Sequence, residues 1–567
     1  MIKIVEERTQ YHRFALYFEP FDPKVVELCR MLKESFGIQQ FSYNLEGGNK
    51  KWVFSQSIIV RTFQEQFPDV EVEPAVEAIV LHELKWKSAE VGRLQRIDAL
   101  KKKTETDFHI KGLKGAPYPY QLIGVEFLLE SGGKAIIADS PGLGKTLQFL
   151  AYAKHKGFTR SLVVCPATVK SSWEGEIKKW TNLSAYVIEP KTKLHEIPAD
   201  INFWIINYDV LKKFLPELAK IRFDAVCGDE AHMVKSNTAQ RTKAFRALSR
   251  FIPNIILLTG TPLLSRPIEL YSLLNIIDPS KWNNFYDYAR KYCGAVQTRW
   301  GLDVSGATNT EELHKTIRKY FLRRTKDEVL KELPPKNYID VPVTMERDLE
   351  KRYNMAEQNL AKYMREHAGK QPKEIMKAHA AEKLVQLNYL RQIVAESKVE
   401  TTKELVESLL ESGDKVLIFS AWNAPLDKLK EYFGSAAVKI TGKTPVEDRG
   451  LIVKQFQEDS GVKIFLGGYK SAGQGITLTA ASHVIFNDMS WNPADHQQSQ
   501  DRAHRIGAKY ESLNIYQLAV KNTIDDDLRD MLIHKQEVFD TVIEGKTIES
   551  VTNKALDSVA RRVAKKL

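Results

Sequence analysis

Long apolar runs are missing from this 567-residue sequence. None approaches the roughly 18–20 residues that a helix needs to cross a bilayer, so no membrane span is expected. The opening stretch, MIKIVEERTQYHRF, carries charges where a secretory signal needs an apolar core, and no such address is expected from it. Cysteine is scarce: Cys29, Cys165, Cys227 and Cys293 form no C-x-x-C pair and no Cys/His spacing of a metal knuckle. That pattern argues against a disulfide framework and against zinc, and it fits a reducing interior. Hydrophobic residues make up 43% and charged residues 27%, which excludes disordered and collagenous classes. Lys plus Arg number 83 against 72 Asp plus Glu, a net charge of +11. A basic balance suits a polyanionic partner and equally a basic soluble enzyme. At about 150 residues per domain, the length suggests three or four domains.

Patterning divides the chain. Residues 1–105 read as a small α+β domain: a strand at Phe14 to Phe18, a helical stripe at Val25, Leu28, Cys29, Leu32 and Phe36, a hairpin with its turn at Gly47-Gly48-Asn49, and a second amphipathic stretch carrying Ile58, Ile59, Phe63 and Phe67. Polar sequence then runs to Lys101-Lys102-Lys103, as a solvated linker or helix end. Residues 106–335 hold short β-branched runs separated by helical stretches: KAIIADS, SLVVCP, FWIINY, FDAVCGDE and IILLTGTP. Near-continuous apolar runs suit strands buried on both faces of a parallel sheet, and their alternation with helices points to a doubly wound α/β lobe. Residues 336–400 read as a helical linker or insertion. Residues 401–540 repeat the α/β rhythm with KVLIFSAW, AVKITG, KIFLGGY, HVIFND and LNIYQLAV, and 541–567 read as a basic helical tail.

The strongest local signal is Asp139-Ser140-Pro141-Gly142-Leu143-Gly144-Lys145-Thr146, after an apolar run and before a helix candidate. A strand, a Gly-rich loop and a helix N-terminus aim backbone N–H groups at phosphates. Lys145 would reach the β- and γ-phosphates of a nucleoside triphosphate, and the Thr146 hydroxyl would ligate Mg²⁺. The general pattern wants Gly where this chain has Asp139. A second signal, Asp229-Glu230-Ala231-His232, ends another apolar run. Ligands of open α/β sheets bind outside the carboxyl ends of strands, which puts two carboxylates beside the phosphate loop. Asp229 is the Mg²⁺ candidate, Glu230 the group that orients and deprotonates water, and His232 a coupling residue toward a neighbouring loop. A third signal is Gln498-Ser499-Gln500-Asp501-Arg502-Ala503-His504-Arg505. On a helix, Arg502 and Arg505, three apart, would share one face. They would serve as arginine fingers or as surface partners of Asp501, and spacing alone leaves both open.

In their order, these blocks resemble the SWI/SNF-type ATPases of helicase superfamily two over about residues 115–540. Tyr120-Gln121 with GVEFLL is similar to the family's adenine-reading segment, and DSPGLGKT to its D-E-x-G-L-G-K-T loop, where Asp139 is regular. LVVCPATVKSSWEGEIKKW resembles the next block, DEAH and LLTGTPL the two after it. FLRRTKDEVLKELPPK, residues 321–336, is the most family-specific, and KVLIFSAW, TGKTPVEDR, SAGQGITLTAASHVIFND and QSQDRAHRIGA follow in order. The resemblance implies two tandem RecA-like lobes with ATP and Mg²⁺ between them. It places Gln121 at adenine, Gly475 and Asp501 near the nucleotide, Gln498 in a coupling role, Arg502 and Arg505 as fingers, and Pro166 and Thr168 at DNA backbone. Residues Asp22 to Phe67 resemble the HARP-type domain of annealing-helicase proteins, which implies a preference for branched DNA.

The expected activity is therefore an ATP-dependent translocase on double-stranded DNA that remodels or anneals forks. The expected partners are duplex or branched DNA, with single-strand-binding and replication proteins as candidates. Localisation would be cytoplasmic and nucleoid-associated in a prokaryotic or viral host, and nuclear in a eukaryote. The competing readings are an RNA-polymerase-recycling or restriction-system motor and, from another class, a DNA-binding scaffold with an inactive nucleotide site.

Overall fold

The computed structural model describes residues 2–7, 13–18, 22–36, 41–44, 51–262, 266–298, 301–366, 373–472 and 476–545. Two compact units divide at Ala99/Leu100. The first carries a five-stranded sheet in the order Phe41–Asn44, Lys51–Phe54, Phe14–Phe18, Ile2–Glu6, Glu71–Val72. The helices Pro23–Phe36 and Ser57–Gln66 give Val25, Cys29, Ile59 and Phe63 to a core shared with Phe14, Trp52 and Phe54. Ile58, expected in the stripe, is exposed. The hairpin forms as an antiparallel pair of Phe41–Asn44 with Lys51–Phe54, and its expected turn lies outside the described residues. The polar stretch before Lys103 is no loose linker but the last part of a 29-residue helix, Pro74–Lys102. Its Glu, Lys, Leu and Ala content favours helix without requiring an apolar face, and only Val76, Val80 and Ile97 are buried.

The second unit contains two parallel sheets. The seven strands of the first run Phe321–Leu322, Lys134–Ile137, Asn254–Leu258, Ala225–Asp229, Ser161–Cys165, Phe203–Asn207, Ala185–Val187. All five expected apolar runs are strands here. The second sheet has six, ordered Lys336–Val343, Leu513–Val520, His483–Phe486, Val416–Ser420, Ile464–Gly468, Ala437–Ile440. Every pairing within these two sheets is parallel. The chain thus forms two RecA-like lobes of doubly wound type, as expected, beside a small α+β region.

Two boundaries differ from expectation. The segment 336–400 begins not with helix but with the edge strand Lys336–Val343, paired along its length with Leu513–Val520. An edge strand exposes one side to water and tolerates Pro342, so its sequence lacks the apolar run of a central strand. The helices that follow are part of the second lobe: Tyr353, Leu360, Leu390, Val394 and Val406 sit in one core with Ile418 and Leu518. The expected tail from 541 is likewise not separate at its start. The helix Ile524–Phe539 continues as a π-helical turn, Asp540–Glu544. Its first part buries Ile524, Leu528 and Met531 in the second lobe's core, and its end buries Val538, Val542 and Ile543 in the first lobe's. The remainder of the tail, from 546, lies outside the described residues.

Candidate active site

The strand Lys134–Ile137 delivers the glycine loop to the helix Lys145–Lys156. Gly142 and Gly144 take φ of 90° and 72°, the left-handed region that an L-side chain adopts only at a cost. Space enforces the same choice at Gly144, where a Cβ would run into the Gln121 amide. Lys145 Nζ lies in the loop and donates to Asp139 O at 2.8 Å and Ser140 O at 3.4 Å. Burial lowers its pKa, with Glu230, Asp139 and Asp229 opposing. An ammonium held on carbonyls inside an acidic setting can exchange them for phosphate oxygens. Thr146 occupies the first turn of the same helix.

Ala225–Asp229 ends beside this loop. Asp229 Oδ2 accepts from Trp173 Nε1 at 2.8 Å, its Oδ1 accepts from Glu230 N at 2.9 Å, and its carbonyl accepts from Tyr208 OH at 2.7 Å. Burial and the neighbouring Glu230 charge push the Asp229 carboxyl up to about 6. Glu230 itself has φ 48° and ψ 53°, left-handed backbone in a non-glycine residue. Strain of that kind persists where the surrounding structure fixes a functional side chain. Burial would raise the Glu230 carboxyl, but His232, Lys145 and Arg502 outweigh it and hold it below its ordinary value. His232 Nδ1 lies 3.2 Å from Glu230 Oε2, so the expected coupling residue does touch the expected base. Among the described residues no cluster of three or more His, Cys, Asp or Glu is arranged for a metal ion. Mg²⁺ in phosphate sites needs no such cage, since one or two protein oxygens suffice beside substrate phosphates. Thr146 and Asp229, the expected holders of that ion, would supply hard-oxygen donors, and an Asp229 carboxyl raised by burial and by the Glu230 charge fits a site that a dication completes.

The helix Pro493–Ala503 brings the second lobe to the seam; Arg502 lies on it, but Arg505 lies two residues past its end, so the two do not share a helix face as expected. Arg502 Nε donates to Gln498 O at 3.1 Å and Nη1 to Ile476 O at 3.2 Å. Arg505 donates through Nε to Asp501 O at 2.9 Å and through Nη1 to Thr477 Oγ1 at 2.7 Å. Desolvation, with the Arg505 charge adding to it, lowers the Arg502 guanidinium to about 9 against the opposing pull of Asp501 and Glu230. A Cβ placed on Gly142 would lie 3.7 Å from Arg505 Cγ, so the second lobe's arginine stands against the first lobe's phosphate loop.

Other expected residues are placed less directly. Gln121 Nε2 donates to Leu143 O at 3.3 Å and its Oε1 accepts from Tyr118 N at 2.9 Å, which ties the adenine candidate to the loop. Asp139 is fully buried, and its carboxylate is engaged by Arg324 and by Gln148 Nε2 at 2.9 Å. Its side chain therefore anchors the loop rather than facing phosphate. Pro166 and Thr168 follow the carboxyl end of the strand Ser161–Cys165. Asp501, wholly buried, pairs with Lys326 at 2.7 Å. Gly475 lies outside the described residues. The sequence blocks that carried the resemblance gave no role to Arg323 and Lys326, which line a cavity shared with Pro493 and Gln497 of the second lobe, or to Arg324, which bonds within the first lobe; their clustering in FLRRTKDEV was the available signal.

A phosphate loop and an acidic pair on one parallel-sheet lobe, faced by arginines from another, define a two-lobed P-loop ATPase. Comparison with known proteins places it further. Residues 120–398 match the SNF2-related domain and 397–507 the helicase conserved C-terminal domain. The chain is 30% identical over 556 residues to the SWI/SNF-related matrix-associated actin-dependent regulator of chromatin subfamily A-like protein 1 homolog of Caenorhabditis elegans, covering 94% of this chain and 74% of that protein. It is 32% identical over 460 residues to the DNA annealing helicase and endonuclease ZRANB3 of Mus musculus, covering 78% of this chain and 42% of that protein. The chain thus spans less than half the length of that relative. A solved Sulfolobus solfataricus SWI2/SNF2 ATPase core, in complex with dsDNA, is 26% identical, with 78% of this chain and 95% of that one covered at a TM-score of 0.39. This chain belongs to the SWI/SNF-type ATPases of helicase superfamily two.

Proposed function

We propose that the chain couples ATP hydrolysis to movement along double-stranded DNA and that it remodels or anneals branched DNA such as forks. The observation that carries this reading is the approach of Arg505 to Gly142 across the lobe seam. Lys145 binds the β- and γ-phosphates from one side, and Arg502 and Arg505 offset the charge on the transferring phosphoryl group from the other. Thr146 and Asp229 hold Mg²⁺, which when bound neutralises phosphate charge. Glu230 orients water and takes its proton, and His232 holds Glu230 in place. Gln121 reads adenine. Occupancy of such a site favours a closed cleft and product release removes that preference, so lobes that grip DNA alternately are displaced along it. Pro166 and Thr168 are proposed contacts to DNA phosphates; contacts of that kind carry no sequence information, which suits a motor stepping along any sequence. The named activities of the relatives, annealing helicase and chromatin regulator, support a DNA substrate. The HARP-like resemblance of Asp22 to Phe67 supports a branched one. Replication and single-strand-binding proteins are proposed partners, and the protein is placed with DNA: nucleoid-associated in a prokaryotic or viral host, nuclear in a eukaryote.

ATP turnover measured against duplex, single-stranded and forked DNA and RNA, at one fixed salt concentration, tests the reading. Salt is held constant because phosphate-driven affinity falls steeply with it. Stimulation is expected with duplex and strongest with forked DNA. Turnover absent with every nucleic acid would leave a DNA-binding scaffold, and equal stimulation by RNA would remove the duplex-DNA assignment. Deleting residues 1–105 is expected to spare duplex-stimulated turnover and to lower the fork-over-duplex preference several-fold. An unchanged preference in that truncated chain would discard the junction role of the first unit.

A further inference from the structure

We propose that Lys326 is a positioning residue for hydrolysis, the end of a short strut that fixes the arginine-bearing helix of one lobe against the phosphate loop of the other. The inference rests on the reading of Arg502 and Arg505 as fingers and assigns the family-specific Arg323-Arg324-Thr325-Lys326 segment a task within it. The segment follows the edge strand Phe321–Leu322 of the first sheet. Arg323 Nη1 donates to Ala138 O at 2.7 Å and Gly260 O at 3.2 Å, the ends of two neighbouring strands. Arg324 donates through Nε to Asp139 Oδ1 at 3.0 Å, through Nη2 to Gln148 Oε1 at 3.1 Å, and through Nη1 to Tyr120 O. These bonds clamp the root of the phosphate loop from below.

Two residues on, the same segment grips the opposite lobe. Lys326 Nζ donates to Asp501 Oδ1 at 2.7 Å and to His504 O. The pair is buried, with side chains 4% and 0% exposed. Asp501 immediately precedes Arg502, and its carbonyl receives Arg505 Nε. Lys326 therefore holds the residue that holds the finger. Its Cε also lies 3.5 Å from where a Cβ on Gly142 would stand, beside Arg505 Cγ. Lock and target are within one side chain of each other.

The test uses the full chain with saturating duplex DNA. Lys326→Met is expected to lower kcat by about 10²-fold, the effect of a small misplacement of a catalytic group, with affinity for a fluorescent ATP analogue nearly unchanged. The fold has support against this change, because Lys336 Nζ remains 3.7 Å from Asp501 and Gln497 Nε2 3.3 Å. Lys326→Arg is expected to restore most of the turnover. A guanidinium keeps the positive charge that Asp501 requires, and a cavity of about 510 Å³ borders Lys326 on its other side. A pH profile gives an arm that does not depend on the methionine variant folding. Burial, with the Lys336 and Arg505 charges adding to it, lowers Lys326 to about 8 against the opposing pull of Asp501. The ion pair is thus intact below that pH and lost above it. Wild-type kcat should fall as pH rises past about 8. In Lys326→Arg, whose guanidinium holds its proton to higher pH than an ammonium, that limb should move up, toward the pH near 9 at which Arg502 loses its charge.

Unchanged kcat in Lys326→Met, a loss seen equally in nucleotide binding, or the same alkaline limb in Lys326→Arg would each overturn the proposal. The two readings fail separately. If Arg502→Ala and Arg505→Ala lose turnover while Lys326→Met keeps it, only the strut is wrong. If the arginine variants also keep it, the finger reading has failed.

Discussion

Glu230→Gln is expected to lower ATP turnover by roughly 10²–10⁴-fold, the range for removing a general base, while ATP still binds. Glutamine matches the shape of glutamate and can occupy the same left-handed backbone position, so the loop and the Asp229 network should persist. What disappears is the ability to take a proton. The structure makes that ability available at neutral pH: His232, Lys145 and Arg502 keep the Glu230 carboxylate ionised despite its burial. Lys145→Ala should differ in kind. Its ammonium is the cation seated in the phosphate loop, so turnover is expected to vanish together with most of the nucleotide affinity. Steady-state turnover combined with equilibrium binding of a labelled nucleotide separates the two. Substantial turnover in Glu230→Gln would take the base role away from that residue.

The second large effect is expected at the other lobe. Arg502→Ala or Arg505→Ala should reduce kcat by about 10³–10⁵-fold, the range measured for arginine fingers. Nucleotide affinity should change far less, because Lys145 and the loop backbone remain. Arg505 has the more direct position, against Gly142, whereas Arg502 is deeper and in the field of Glu230. Single-turnover rates with preformed protein–ATP–DNA complexes would report the chemical step itself. Variants that hydrolyse at the wild-type rate would return both guanidiniums to a purely structural part.

The phosphate loop and the acidic pair were legible because each is local. A buried apolar strand, a turn and a helix lie within one stretch, and the chemistry needs only neighbours. The central strands were legible for the same reason, being apolar on both faces. Of the four edge strands of the two parallel sheets, Ala437–Ile440 was legible as an apolar run and the other three were not. Ala185–Val187 is short, Phe321–Leu322 shorter, and Lys336–Val343 half-solvated, so none shows the continuous run that marks a buried strand. Nor could the sequence reveal that Asp139 belongs to Arg324, 185 positions away, or Asp501 to Lys326, 175 away. A charged residue's partner is set by how the sheets stack, and spacing along the chain carries no trace of it. The arginines of the third motif were ambiguous alone for this reason, and the seam geometry now sets Arg505 beside the glycine loop.

The helix Ile524–Phe539 and its π-helical end root one rod in both interiors, with His314 Nδ1 3.1 Å from Val542 O at the far anchor. Pulling a side chain such as Val542 or Ile543 out of its seat would cost about 1.5–3 kcal/mol apiece. The mouth between the halves therefore cannot swing without limit: its travel ends where the rod must bend or uproot. In the proposed motor, a stroke bounded in this way would bring the halves back to one register between successive triphosphates.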